Sequence, residues 1–120
     1  MAIYGYELIL DISDADPATF TRANLEAYFV ELCEAIDMVL VETHIWDDLR
    51  EEETRPQVKG ISAVAFIETS SITIHALDLL CEVYVNIFSC KSFDPAIASE
   101  VTNRFFKTGK WTLRFLQRGQ

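Results

Sequence analysis

This sequence predicts an α+β fold: a two-layer α/β sandwich with a mostly antiparallel sheet and helices on one face. Three observations carry that expectation. Several short runs alternate apolar and polar residues with a period of two, as half-buried strands do. Two other segments repeat apolar residues at helical spacing. The resulting order, β-α-β-β-β-β-α-β, places most strands beside their neighbours in sequence, so most pairs run antiparallel.

Each element has its own reason. Ile3 to Ile12 alternates as a first strand, with Tyr4, Tyr6, Leu8, Leu10 and Ile12 on one face and Gly5, Glu7, Ile9 and Asp11 on the other. Ser13 to Pro17 is a turn, and Asp16-Pro17 suits the cap of a short helical segment. From Arg22 to Ile36, Leu25, Phe29, Leu32 and Ile36 recur at helical spacing, with Cys33 beside them as core packing. Met38 to Trp46 reads as the second strand and the run after Gly60, residues 61–68, as the third. Between them, residues 47–58 are charged, contain Pro56 and lack periodicity, which describes a loop. Its acidic residues Asp47, Asp48, Glu51, Glu52 and Glu53 suit a solvated surface, with a cation or diamine as the functional rival.

The next two strands organise the chain. From Ser71 to Leu77, Ile72, Ile74 and Ala76 point one way and Ser71, Thr73, His75 and Leu77 the other. From Glu82 to Cys90, Val83, Val85 and Ile87 oppose Tyr84, Asn86, Phe88 and Cys90. If these strands share a sheet, helices cover the aliphatic side while His75 and Cys90 meet on the other, with Ser70-Ser71 at its head. Asp94 and Pro95 then fit an N-cap and first helical position. Ile97, Val101 and Phe105 make the inner stripe of a helix ending near Gly109, and Lys110 to Leu116 is a last edge strand.

Composition narrows the function. At 120 residues the chain is expected to form one domain, residues 1–120, with a real core but small enough to gain from dimerisation. Half the residues are apolar, which argues against disorder. No apolar run approaches a membrane span and no signal-peptide layout opens the chain, so a cytoplasmic protein is expected. The three cysteines, Cys33, Cys81 and Cys90, lack metal-ligand spacing, so neither a disulfide framework nor a metal site is expected. A net charge of −9 disfavours nucleic acid and favours a small cationic ligand.

Ser70-Ser71-Ile72-Thr73-Ile74-His75 resembles the self-processing Glu-Ser-His-x-x-x-His segment of bacterial and archaeal S-adenosylmethionine decarboxylases. Val85-Asn86-Ile87-Phe88-Ser89-Cys90 resembles their Asp-x-Phe-Thr-Cys segment, and the serine-histidine-cysteine spacing matches without a gap. Asp94-Pro95 matches a pair common in the family. The resemblance runs from Tyr6-Glu7-Leu8 to the final strand, with extra residues near 47–58.

The resemblance implies a chemistry. Decarboxylating an α-amino acid leaves a carbanion that needs an electron sink, and a carbonyl forming a Schiff base with the substrate amine is one. In that family the carbonyl belongs to a pyruvoyl group made from the chain's own serine. Carried over, cleavage falls between Thr69 and Ser70, and the cofactor is a pyruvoyl group generated from Ser70. His75 is the general base for the elimination and Cys90 the acid that protonates the substrate carbon. A homodimer with active sites between protomers is implied too. His44 lies near a family histidine and is read as structural.

The departures bear on substrate. Thr69 stands for the family's glutamate and Ser71 for its histidine, while Ala76-Leu77-Asp78-Leu79 replaces Thr-Trp-Pro-Glu. The lost Trp removes a stacking surface that Tyr4, Tyr6, Trp46 or Phe88 would have to replace. Three functions follow. One is S-adenosylmethionine decarboxylation in polyamine synthesis. A second applies the same chemistry to L-ornithine or L-arginine, with Glu7, Asp11 or Asp78 reading the distal cation. The third is an unprocessed, catalytically silent regulatory or binding paralogue.

Overall fold

The computed structural model describes residues 2–47 and 59–119. Its elements are β1 (Ile3–Ser13), a 3-10 turn (Pro17–Thr19), α1 (Arg22–Ala35), β2 (Leu40–Trp46), β3 (Gly60–Ile67), β4 (Ser70–Leu77), β5 (Glu82–Ser89), α2 (Pro95–Phe106) and β6 (Lys110–Gly119). One six-stranded sheet has the order β2-β3-β4-β5-β1-β6, and every neighbouring pair is antiparallel. Hairpins join β2 through β5 in sequence, and β1 then enters between β5 and β6. Both helices lie on one face, as the patterning predicts.

The helix ends follow their local chemistry. Asp16 caps the 3-10 turn by accepting from the Ala18 amide, with Pro17 at its first position. Thr21 caps α1 by accepting from the Asn24 amide at 3.1 Å. Asp94 caps α2 by accepting from Ala96, with Pro95 following. The expected stop at Gly109 is replaced by Lys107, which takes the left-handed conformation, φ 51°, while its amide bonds the Asn103 carbonyl.

Apolar residues at period two bury the inner face of the sheet. Leu8, Leu10, Ile72, Ile74, Val83 and Ile87 are fully buried, closed over by Leu25, Tyr28, Phe29 and Leu32 of α1. The stripe on α2 differs from the expected one. Ala98, Val101, Thr102 and Phe106 are buried, while Ile97 is exposed and Phe105 only half-buried. The cause is Tyr28: its hydroxyl shares a 2.7 Å hydrogen bond with Thr102, and its ring meets Phe106 edge-on. That contact sets Thr102 and Phe106 against α1.

β1 brings a second correction. A bulge between Ile3 and Gly5 shifts the register with β6. Tyr4 is therefore carried off the core face and stacks on Phe88, centroids 6.3 Å apart, on the uncovered face. Tyr6 keeps the core side, stacked on Phe115.

Neighbouring residues of β4 should respond oppositely to truncation. Ile74→Ala is expected to cost about 2–5 kcal/mol because it opens a cavity in the core. Thr73→Ala, on the uncovered face, should cost less than about 1 kcal/mol. Urea midpoints of the two variants check the assignment of faces.

Candidate functional site

β3 and β4 are joined by Glu68 and Thr69 alone, since Ile67 already pairs with Ser70. A connection this short needs a positive φ at one of its residues, and Thr69 supplies it at φ 56°. Gly or Asn is usual there. A left-handed conformation costs a residue with a Cβ about 1–2 kcal/mol. The bond between Thr69 and Ser70 thus follows a strained residue.

The β4–β5 register decides what faces this turn. Ser71 pairs with Phe88, Ile72 with Ile87 and Thr73 with Asn86. Continued past Ser71, that ladder sets Ser70 opposite Ser89 and Thr69 opposite Cys90. Three groups accordingly converge. The Cys90 amide donates to Ser70 Oγ at 3.1 Å, Ser70 Oγ lies 4.0 Å from Cys90 Sγ, and Thr69 Oγ1 is 2.9 Å from that sulfur. The hydrogen bond with Thr69 chiefly, and Ser70 after it, holds the Cys90 thiol below its ordinary pKa. Cys33, by contrast, is buried against the core and pushed up to about 11 by desolvation.

His75 is not part of this cluster. It shares the uncovered face with Cys90, but it pairs with Ser62 and Tyr84 at the other end of β4. Five residues of extended chain separate it from Ser70, roughly 16 Å at 3.3 Å per residue. The expectation that His75 and Cys90 meet within one chain is therefore corrected: they share a face and stand apart along it. His75 Nδ1 instead lies 2.9 Å from Ser62 Oγ. The two line a hollow of about 330 Å³ together with His44, Trp46, Val64 and Thr73.

Ser62 was not legible as a site residue. Its only signal is cross-strand pairing with His75, which needs the β3–β4 register. His44 pairs with Glu42 at 3.3 Å and meets the Phe66 ring edge-on.

The carboxylates named as substrate readers are dispersed. Glu7 lies across from Phe88. One of its oxygens accepts from Asn86 Nδ2 at 2.6 Å and the other from Arg118. The Asn86 bond leads in holding its pKa below the usual carboxylate range, with Arg118 assisting. Arg118 also sits 5.5 Å over the Phe88 ring. Asp11 is 3.6 Å from Arg114. Asp78 follows the far end of β4, where its amide bonds the Lys59 carbonyl. Within the acidic loop, Asp47 pairs with Arg22 at 2.9 Å. Asp48, Glu51, Glu52 and Glu53 lie outside the described residues.

The geometry can be set beside known proteins. The family model described as S-adenosylmethionine decarboxylase matches residues 6–119. The chain belongs to that family. Its fold is similar to the crystal structure of the adenosylmethionine decarboxylase from Aquifex aeolicus, with a TM-score of 0.78 at 14% sequence identity. That alignment covers 100% of this chain and 94% of the other. No curated protein matches the chain. The α+β sandwich inferred from periodicity is thus the fold of an S-adenosylmethionine decarboxylase-like protein. Among the described residues, no helix is long and apolar enough to cross a membrane.

Glu7 yields a prediction with a defined sign. Its folded pKa is lowered, so its contribution to stability is present above the unfolded pKa and is lost as pH falls through the folded value. Glu7→Gln should cost about 1–2 kcal/mol at pH 7. The difference should shrink as pH falls below the unfolded value and vanish only below the lowered folded pKa. Thermal melts across that acid range and at pH 7 measure it.

Proposed function

We propose that this chain is a self-processing, pyruvoyl-dependent decarboxylase of polyamine biosynthesis that acts on S-adenosylmethionine. The observation that carries the reading is the Ser70 hydroxyl directly after a strained two-residue turn, beside the Cys90 amide and thiol. The turn also suits a cut. β3 keeps its pairing with β2 and β4, and β4 its pairing with β3 and β5, so fragments 1–69 and 70–120 would stay locked in one sheet.

The chemistry uses the chain's own atoms. Ser70 Oγ attacks the Thr69 carbonyl carbon, the C–N bond breaks, and the hydroxyl proton passes to the freed nitrogen, leaving an ester. A base removes the Cα proton of residue 70, the Cβ–O bond breaks, and Thr69 departs as a carboxylate. Water then enters and ammonia leaves, so residue 70 ends as the pyruvoyl group. Bound at that position, the group supplies an electron sink for decarboxylation. Cys90 holds a proton on Sγ for the substrate carbon.

The base in this reading is His75, and its distance from Ser70 along β4 supports its acting across on a second copy. Each chain carries two half-sites: Thr69, Ser70 and Cys90 about the turn at one end of β4, and Ser62 and His75 on the uncovered face at the other. A two-fold packing of sheet on sheet presents each half-site to its complement, twice. Tyr4, Phe66, Tyr84 and Leu116 are exposed on that face and give such packing apolar area to bury.

The substrate reading draws on the same surface. Tyr4 and Phe88 offer stacked rings on the side of the sheet that carries Cys90, and ring stacking with a base is worth about 1–3 kcal/mol. Of the carboxylates named for the ornithine and arginine alternative, both Glu7 oxygens are engaged, Asp11 pairs with Arg114 and Asp78 lies at the far end of β4.

Intact mass of purified protein tests the processing. Two fragments divided at Thr69–Ser70 are expected, and Ser70→Ala should leave the 13.7 kDa chain whole. An uncut wild type, unchanged with time, would overturn the enzyme reading in favour of the silent paralogue. Co-expression of Ser70→Ala with His75→Ala tests the shared site. Neither variant should cut alone, but in hybrid dimers the His75→Ala chain regains a histidine. About half of those chains should then be cleaved on statistical pairing. No cleavage in the mixture would sink the shared site.

A further inference from the structure

Thr69 does more than precede the cleavage point. Its left-handed φ is imposed from both sides by the Ile67–Ser70 pairing that closes the turn. Its hydroxyl lies 2.7 Å from the Glu68 carbonyl and 2.9 Å from Cys90 Sγ. A threonine hydroxyl has one proton to give and can also accept. With that proton on the carbonyl, Thr69 accepts from the Cys90 thiol; with it turned to sulfur, Thr69 supports the thiolate. In either state the side chain is tied to Cys90.

We propose that Thr69 is a positioning residue that strains the bond to Ser70 and tethers Cys90 across the uncut turn, so that one cleavage releases both. This rests on the reading of Ser70 as the self-processing nucleophile. Before cleavage, the Thr69 backbone is fixed at both ends and cannot leave φ 56°. Afterwards it is a chain terminus, free to relax into the extended region that a β-branched residue prefers.

The release has a chemical consequence. The Thr69 hydroxyl is the leading cause of the lowered Cys90 pKa. Cleavage withdraws that donor and leaves a new carboxylate at Thr69. Both changes favour the protonated thiol, the form a proton donor to the substrate carbon must have. Before cleavage the thiol is held below its ordinary pKa; afterwards the proton is held more firmly.

Two measurements test the proposal. The first uses the uncut Ser70→Ala chain, with the pH profile of Cys90 alkylation read by mass. Adding Thr69→Val, which keeps the shape but removes the hydroxyl, should move the inflection to higher pH. Adding Thr69→Ser, which restores the hydroxyl, should leave it in place. The second uses chains with Ser70 intact and reads the rate of cleavage. Thr69→Gly and Thr69→Asn, which accept a positive φ, should cleave about five- to thirtyfold more slowly. Thr69→Val, which keeps the β-branch, should cleave faster than Thr69→Gly.

An alkylation inflection unmoved by Thr69→Val overturns the tether. Cleavage of Thr69→Gly at the wild-type rate overturns the strain, and either result overturns the proposal as stated. Failure of the underlying enzyme reading looks different: no chain with Ser70 is cut, the wild type included, while the alkylation profile still reports on Thr69.

Discussion

The pairing of β4 with β5 is the constraint on which the rest of the molecule depends. Ile72, Ile74 and Ala76 meet Ile87, Val85 and Val83 on the inner face, and all six are essentially buried. A slip of β4 by one residue would turn its three outward. Removing large aliphatic side chains from the core costs about 1.5–3 kcal/mol each, so the aliphatic face alone enforces the register. Everything polar on the opposite face is then placed by alternation. Thr69 arrives beside Cys90, and His75 is sent to Tyr84 and Ser62.

A sheet with helices on one side has to do something with its other side. Here that face is neither a simple solvated surface nor a second core. Glu7, Asn86 and Arg118 form a satisfied polar network around Phe88, while Tyr4, Phe66 and Leu116 remain exposed near it. Fixed polar groups among uncovered rings give a surface both direction and stickiness. The bulge at Ile3–Gly5 contributes by moving one tyrosine across the sheet. Without it, Tyr4 would compete with Tyr6 and Phe115 for the core side.

Much of this was legible in the chain. Strict alternation in β4 and β5 identified both faces, and Asp16, Asp94 and Pro95 announced their caps. What was not legible depended on pairing or on single contacts. Periodicity is blind to a bulge, so Tyr4 was set on the wrong face. The stripe of α2 was read from Ile97, Val101 and Phe105, although one buried hydrogen bond from Tyr28 to Thr102 selects a neighbouring stripe. Lys107 took the left-handed cap that Gly109 was expected to provide. Of the residues about Ser70, the spacing in sequence isolated Cys90. It could not show that five residues of strand hold His75 away, because spacing in sequence becomes distance only once the backbone is known to be extended.

The extended backbone also explains how the proposed cut between Thr69 and Ser70 would leave the fold intact. A loop that is cut loses the link between its ends, and the cost depends on what else holds them. Glu68 and Thr69 connect two strands joined by eight register pairs, from Ile67↔Ser70 to Gly60↔Leu77. The ends cannot diffuse apart while that ladder and its outer neighbours persist. The same tightness forces a β-branched residue into a left-handed conformation, since two residues leave no slack in which to avoid it. Strain at the bond and tolerance of its loss therefore have one source, the shortness of the turn. A longer and looser connection would relax the one and weaken the other.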